Sequence, residues 1–316
     1  MPEIIVPLSV PRGRRGEYLK NYHNLTNRCG RLLLIAADQK VEHLNGDFWG
    51  PGISREDANP EHLFKIAAAS QGGVLAAHLG LLARYGRNYN QLPYIVKING
   101  QTNIGANADK NFGPVWWSVA DIVKFKNDSG LKIVGIGYTL YLVGQYEAAM
   151  LAEAAQAIYQ AHQAGLTAIL WVYPRGQNIK EEDIRTIAGG AGVAAALDAD
   201  FAKVKYPYSL KDKKAAALKF QEVTAAAGRT KIICVGGEKK PVPELLETLE
   251  QQINISGSQG LALGRNLHQR SLEEATCLSA ALGAIIFHKK SAKEALALYT
   301  HQSKIVKKSS RFLGLF

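Results

Sequence analysis

Two lysines stand two residues apart in the segment 200-DFAKVKYPY-208, inside a largely apolar run. In a β-strand, residues i and i+2 point to the same face, so Lys203 and Lys205 are expected to project together. Lysine is almost never fully buried unless it is paired. Either the segment is an edge strand with snorkelling amines, or the amines line a site. In a strand covered on both faces the first option is strained. Desolvation disfavours the ammonium form, and a neutral amine can attack a carbonyl to form a Schiff base. The pair therefore points to imine chemistry, although spacing alone does not choose between its members.

Other reactive residues follow apolar runs in the same way. Asp38, Glu42 and His43 come directly after 31-RLLLIAAD-38, as a solvated loop with a helix cap or as a cluster at a site. In 170-LWVYPRG-176, Trp171 and Tyr173 share a face. Such aromatics commonly belong to a core, but a tyrosine at the end of a strand can also donate or accept a proton. The segments 235-VGGEKK-240 and 263-LGRN-266 are glycine-rich. Each alone reads as a tight turn. Together, Gly236, Gly237 and Gly264 would let backbone N–H groups approach an anion, with Arg265 as a charged partner. An imine-forming lysine, a tyrosine, a carboxylate and a phosphate site combine into one chemistry. A phosphorylated carbonyl compound would be bound as an imine, which acts as an electron sink for breaking a carbon–carbon bond.

These residues need a frame that brings strand ends together. Eight short apolar runs, at 31–38, 73–80, 94–100, 132–140, 167–174, 201–207, 230–237 and 260–266, are mostly continuous rather than alternating. That suits strands buried on both faces, as in parallel sheets. Helical patterns lie between them, at 60–70, 115–126, 145–165, 181–199, 211–228, 241–252 and 271–286, with a short one at 81–86. The alternation predicts a (β/α)8 TIM barrel in a single domain over 31–286. An open doubly wound sheet is the alternative, because strand order is invisible in sequence. Residues 1–30 read as an N-terminal extension and 287–316 as a C-terminal helix and basic tail. In such barrels the active site lies at the C-terminal ends of the strands, and phosphate sites form after strands seven and eight.

Bulk properties narrow the class. The chain has 316 residues and is 47% hydrophobic, enough for one large core. Cys29, Cys234 and Cys277 form no close pair, which fits a reducing, cytoplasmic setting. No run of about eighteen apolar residues predicts a membrane span. The N-terminal segment places its basic residues after its apolar ones, the wrong order for a signal peptide. The net charge of +11 includes clusters at 11–16 and 304–311. No nucleic-acid-binding pattern accompanies them, so solvated termini are expected rather than a nucleic-acid surface. There is no multi-histidine zinc set, and neither a metal nor another cofactor is expected.

Over about residues 31–286 the sequence resembles the archaeal-type class I fructose-bisphosphate aldolase family. Four pieces in order carry the likeness: 38-DQKVEH-43, 171-WVYPRG-176, 200-DFAKVKY-206, and 236-GG-237 with 264-GRN-266. Segment 94-YIVKINGQT-102 also looks like the family's third strand. The resemblance implies that Lys203 is the Schiff-base lysine and Lys205 a second lysine that some members have. It implies Tyr173 for proton transfer, Trp171 as its neighbour, Asp38 near the imine and His43 in the pocket. Gly236, Gly237, Gly264 and Arg265 match the phosphate loops. The implied activity is metal-independent, reversible cleavage of fructose 1,6-bisphosphate to dihydroxyacetone phosphate and glyceraldehyde 3-phosphate. Relatives include transaldolase-like and thiolase-like enzymes on other phosphorylated sugars, and many assemble into rings, often decamers, so a homo-oligomer is expected. A non-catalytic sugar-phosphate- or RNA-binding barrel is a further alternative. The sequence departs from the family's pattern at Lys40 (usually Gly), at Pro207-Tyr208-Ser209 (often Thr-Gly-Asp) and at Val235 (often Ser). Those changes surround the substrate and leave the exact sugar phosphate open.

Overall fold

The computed structural model describes residues 4–104, 111–176 and 179–313. Eight strands form a closed parallel barrel: β1 (Leu32–Ala36), β2 (Gly73–His78), β3 (Tyr94–Lys97), β4 (Ile133–Leu142), β5 (Thr167–Pro174), β6 (Phe201–Val204), β7 (Lys231–Val235) and β8 (Gly260–Leu263). Each falls on an expected apolar run, with β4 extending two residues past the end of its run at 140. Pairing of β8 with β1, Leu32 opposite Gly260 through Ile35 opposite Leu263, closes the ring and excludes the open sheet. The runs are continuous because helices cover the outer face while side chains fill the inner one.

The helices are α1 (Arg15–Leu25), α2 (Gln39–Glu42), α3 (Glu61–Ala69), α4 (Leu79–Tyr85), α5 (Val119–Ser129), α6 (Glu147–Gln163), α7 (Ile184–Ala196), α8 (Lys213–Lys219), α9 (Gln221–Ala227), α10 (Val242–Asn254), α11 (Arg265–His268), α12 (Leu272–His288) and α13 (Ala292–Leu313). Two differ from expectation in an instructive way. The helix expected from residue 115 begins at Val119, because Ser118 and Asp121 form a reciprocal capping box there. Upstream, Trp116 and Trp117 donate their backbone N–H to the Ile98 carbonyl and extend the β3 end instead. The helix expected over 211–228 is α8 and α9, which meet at the buried Phe220. The basic tail continues α13, and its side chains beyond residue 305 lie outside the described residues. No helix among the described residues is long and apolar enough to cross a membrane.

Inside the barrel, the two-residue period converts an apolar bottom into a reactive top. Leu32, Leu34, Val74, Ile95, Ile169, Phe201 and Ile233 form one interior cluster. Continuing two residues along each strand leads from Ile95 to Lys97, from Ile169 to Trp171 and Tyr173, and from Phe201 to Lys203. The bottom is plugged by the N-terminal segment, whose Val10, Tyr18, Tyr22 and Leu25 join the same cluster. A polar network fixes the plug. The Tyr18 hydroxyl donates to Asp200, His162 Nε2 lies 3.1 Å from Asp200 Oδ2, and Ser9 Oγ lies 2.8 Å from His162 Nδ1.

His162 is fully buried, and Asp198 stands 3.3 Å from Nδ1. Burial opposes its protonation. The hydrogen bonds and charges of Asp198 and Asp200 outweigh burial and raise its pKa from 6.5 to about 9. A folded-state pKa above the unfolded one gives stability that is complete below the lower value and lost as pH rises through the higher. Unfolding free energy is therefore expected to fall by about 3 kcal/mol between pH 6.5 and pH 9. His162→Gln should flatten that dependence in denaturant titrations at pH 6 and pH 9.5.

Candidate active site

A cavity of about 480 Å³ opens at the C-terminal end of the strands. Lys203 and Tyr173 reach into it from β6 and β5, and Gly236, Gly237, Gly264 and Arg265 wall it on the β7–β8 side. His43 and Lys205 also border it. Lys203 is 5% exposed, and its amine lies 5.3 Å from the centre of the Trp171 ring. Among the described residues that amine makes no hydrogen bond. Burial lowers its pKa, and Lys97 adds to the effect, against the opposing charges of Asp38 and Glu42. The balance favours the neutral, nucleophilic amine.

Beneath the floor lies a charged layer. Lys97, at the end of β3, is 0% exposed. Its Nζ donates to Glu42 Oε1 at 2.7 Å and to Thr139 Oγ1 at 2.6 Å, and stands 3.8 Å from Asp38 Oδ2. Burial would lower its pKa, but Glu42 and Asp38 raise it, so it stays an ammonium. Asp38, 1% exposed, stands at the N-cap position of α2, where its side chain makes no capping bond. Burial pushes its carboxyl up, while Lys203 and Lys97 more than reverse this and hold it below the usual carboxylate range. Trp171 sits between the two lysines, with Lys97 5.2 Å from its ring centre. Its indole fits because β4 carries glycine at 137, where a Cβ would come within 2.3 Å of the ring. Tyr173 stacks on Tyr141 and lies under the Arg175 guanidinium at 4.9 Å. Burial, and then Glu42 and Asp38, push the Tyr173 hydroxyl well above its ordinary range, so it is held as the phenol.

The structure corrects three expectations. Lys205 does not face the interior with Lys203, because β6 ends at Val204. Its side chain is 33% exposed at the rim, and its amine is paired with Glu181. Trp171 does not touch the cavity; it is buried below Lys203. The Gly236 N–H is already donated to the Ala262 carbonyl at 2.9 Å, so it is not free for an anion. Gly236 is glycine because a Cβ there would meet Leu263 at 2.2 Å. Among the described residues, the N–H groups of Gly237 and Gly264 remain without a backbone acceptor.

Several residues were not singled out from sequence. Lys97 carried the same signal as Lys203, a lysine ending a fully buried strand. Asn266 clamps the β7 loop by donating to the carbonyls of Gly236 (3.0 Å) and Glu238 (2.7 Å). Tyr208, in the departing Pro207-Tyr208 pair, props the same loop through a 2.7 Å bond to the Val235 carbonyl, and Lys240 Nζ lies 4.3 Å from its ring centre. His43 pairs with Asp47, which also stands 3.9 Å from Arg265.

Residues 32–270 match the family model described as DeoC/LacD family aldolase. The chain belongs to the DeoC/LacD aldolase family. It is 48% identical, over 94% of each chain, to the protein of Methanocaldococcus jannaschii named fructose-bisphosphate aldolase/6-deoxy-5-ketofructose 1-phosphate synthase. The solved fructose-bisphosphate aldolase from Slackia heliotrinireducens superposes with a TM-score of 0.90, at 45% identity and covering 95% of both chains. An archaeal fructose-1,6-bisphosphate aldolase, solved with its catalytic lysine covalently bound to the carbinolamine intermediate, gives a TM-score of 0.71 at 25% identity, covering 85% of this chain and 99% of that one. In this member of the aldolase family, the charged layer under Lys203 makes a direct prediction. Removing the Lys97 charge lets Lys203 hold its proton more tightly. Lys97→Met should therefore shift the acid limb of kcat/KM to higher pH. It should also cost on the order of 3–5 kcal/mol of stability by leaving Glu42 and Asp38 unpaired. A pH–rate profile and a denaturant titration read the two effects.

Proposed function

We propose that the chain is a class I fructose-bisphosphate aldolase whose imine forms on Lys203. The observation that carries this reading is a buried lysine, biased toward its neutral form, at the floor of a cavity with a glycine-rich wall. Neutral Lys203 attacks C2 of the ketose, and its proton passes to the former carbonyl oxygen. The carbinolamine takes one further proton, from the Tyr173 phenol, and loses water to give the iminium ion. Asp38 and Tyr173 handle the protons of these steps. Asp38 and Glu42 carry two negative charges and Lys97 one positive charge, so a neutral Lys203 leaves the layer one negative charge in excess. The iminium restores the balance, which favours the charged intermediate over the free amine. Removal of the C4 hydroxyl proton then lets the C3–C4 bond electrons flow to the iminium nitrogen. Glyceraldehyde 3-phosphate leaves, and an enamine stays on Lys203. The Tyr173 phenolate left by the dehydration takes that C4 hydroxyl proton, and the phenol so restored protonates C3. Hydrolysis releases dihydroxyacetone phosphate, whose phosphate is held by Gly237, Gly264 and Arg265.

Borohydride with dihydroxyacetone phosphate should trap one adduct, mapped by peptide mass to Lys203. An adduct on Lys205, or none, would sink the reading. Tyr173→Phe should lower kcat by about a hundredfold or more, and cleavage should survive EDTA.

A second reading keeps the same enamine and changes its acceptor. The Methanocaldococcus jannaschii relative's synthase name specifies a 6-deoxy, 1-phosphate product, which has no oxygen at C6 to carry a phosphate. At the rim, Lys205 pairs with Glu181, and Arg175 lies 3.8 Å from the same carboxylate. Cations neutralised in this way suit an uncharged aldehyde at the outer end. Comparing glyceraldehyde 3-phosphate with short uncharged aldehydes as acceptors separates the two readings. We further read the chain as a cytoplasmic homo-oligomer. Support comes from three free cysteines and from the exposed Trp49, Trp116 and Trp117 on loops at the barrel top.

A further inference from the structure

We infer that Gln39 grips the anionic end of the substrate through its side-chain NH2, and that the buried pair Asp57–His268 aims it. This rests on the reading above, that the β7–β8 side of the cavity holds a phosphate. Gln39 borders that cavity, and its amide packs against Gly264, just after β8. A Cβ on Gly264 would come within 1.9 Å of Gln39 Oε1, so glycine at 264 makes room for this amide.

His268 determines which end of the amide faces the cavity. Its Nδ1 lies 2.7 Å from Asp57 Oδ2, and its Nε2 lies 3.0 Å from Gln39 Oε1. Each ring nitrogen thus faces an oxygen, and Oε1 is the atom of the Gln39 amide turned toward His268. The Asp57 and His268 side chains are 0% and 1% exposed. With Oε1 held by His268, the NH2 of Gln39 is left for the cavity, and among the described residues it makes no hydrogen bond. Turned over, the amide would present a carbonyl oxygen to the phosphate.

The assembly also accounts for Lys40, which stands where the family's pattern has glycine. Lys40 points away from the mouth. Its Nζ donates to the carbonyls of Asp57 at 3.0 Å and Ala58 at 3.4 Å, and lies 3.8 Å from the centre of the Phe48 ring. Phe48 stacks on His268 at 4.8 Å. His62 Nε2 holds the backbone from the other side, 3.1 Å from the His268 carbonyl. Gln39 is thus the exposed end of a buried chain, with Asp57 and His268 as positioning residues.

Steady-state kinetics with fructose 1,6-bisphosphate, and competition by inorganic phosphate, test both halves. Gln39→Leu should raise KM and the phosphate Ki by about tenfold or more, the usual worth of a hydrogen bond to a charged group. The loss should fall mainly in KM. Asp57→Asn should move both constants the same way, because His268 then loses the carboxylate that orients its ring. The double variant should be no worse than Gln39→Leu alone, since Asp57 acts through Gln39. Gln39→Glu leaves the buried pair intact and places a carboxylate oxygen beside the phosphate, so it should exceed the Leu variant. Unchanged constants in Gln39→Leu, a Glu variant no worse than Leu, or additive losses in the double variant would overturn the inference. If wild-type protein traps no adduct with dihydroxyacetone phosphate, the aldolase reading itself has failed. An adduct with equal half-saturation in wild type and Gln39→Leu overturns only the role given to Gln39.

Discussion

Lys97, Lys203, Asp38 and Glu42 share one layer inside the barrel, and the need to neutralise them there governs the site. A single buried charge costs several kcal/mol after relaxation. Lys97 answers that cost for Glu42 at 2.7 Å and for Asp38 at 3.8 Å. Among the described residues, the side chains of Asp38 and of Lys203, which lies over the face of Trp171, make no hydrogen bond. The layer is one positive charge short whenever Lys203 is neutral. A cation formed on that nitrogen completes it. In the proposed reaction, a cation on Lys203 completes the same layer that the fold must neutralise.

The rest of the barrel keeps water away from this layer and holds it in register. Below it, Ile95, Ile169 and Phe201 pack against the N-terminal plug. Trp171 pairs across the sheet with Thr139 on one side and Lys203 on the other. Thr139 in turn accepts from Lys97. The row runs through three strands, so displacing the indole would move both lysines. Above the layer, each cation at the mouth has an acidic partner: Lys205 and Arg175 share Glu181, and Arg265 lies between Asp47 and Glu238. The mouth thus carries cations on both sides, while the β7–β8 wall adds free backbone N–H groups. Substrate orientation follows from that asymmetry.

The eight strands, their parallel arrangement and the end at which the site lies were legible in the sequence. Continuous apolar runs and the two-residue period are local properties, and the need to cover both faces of such strands leaves few architectures. The same local logic marked Lys203, Tyr173 and the glycine-rich turns. Lys97 carried the same signal and was passed over, because its partners Glu42 and Thr139 lie 55 and 42 residues away in the chain.

Tertiary structure alone decided what each polar group does. The period placed Lys205 beside Lys203, but strand pairing stops at Val204, and the free rim let the amine swing to Glu181. Gly236 read as an anion-binding glycine, yet register with β8 had already engaged its N–H. Lys40 stood among the departures expected to surround the substrate, and Phe48 with the Asp57 carbonyl turned it away. Sequence determines where a side chain can point, because that depends on the residue's own backbone. What the side chain finds there depends on atoms supplied by distant segments, and that requires the folded chain.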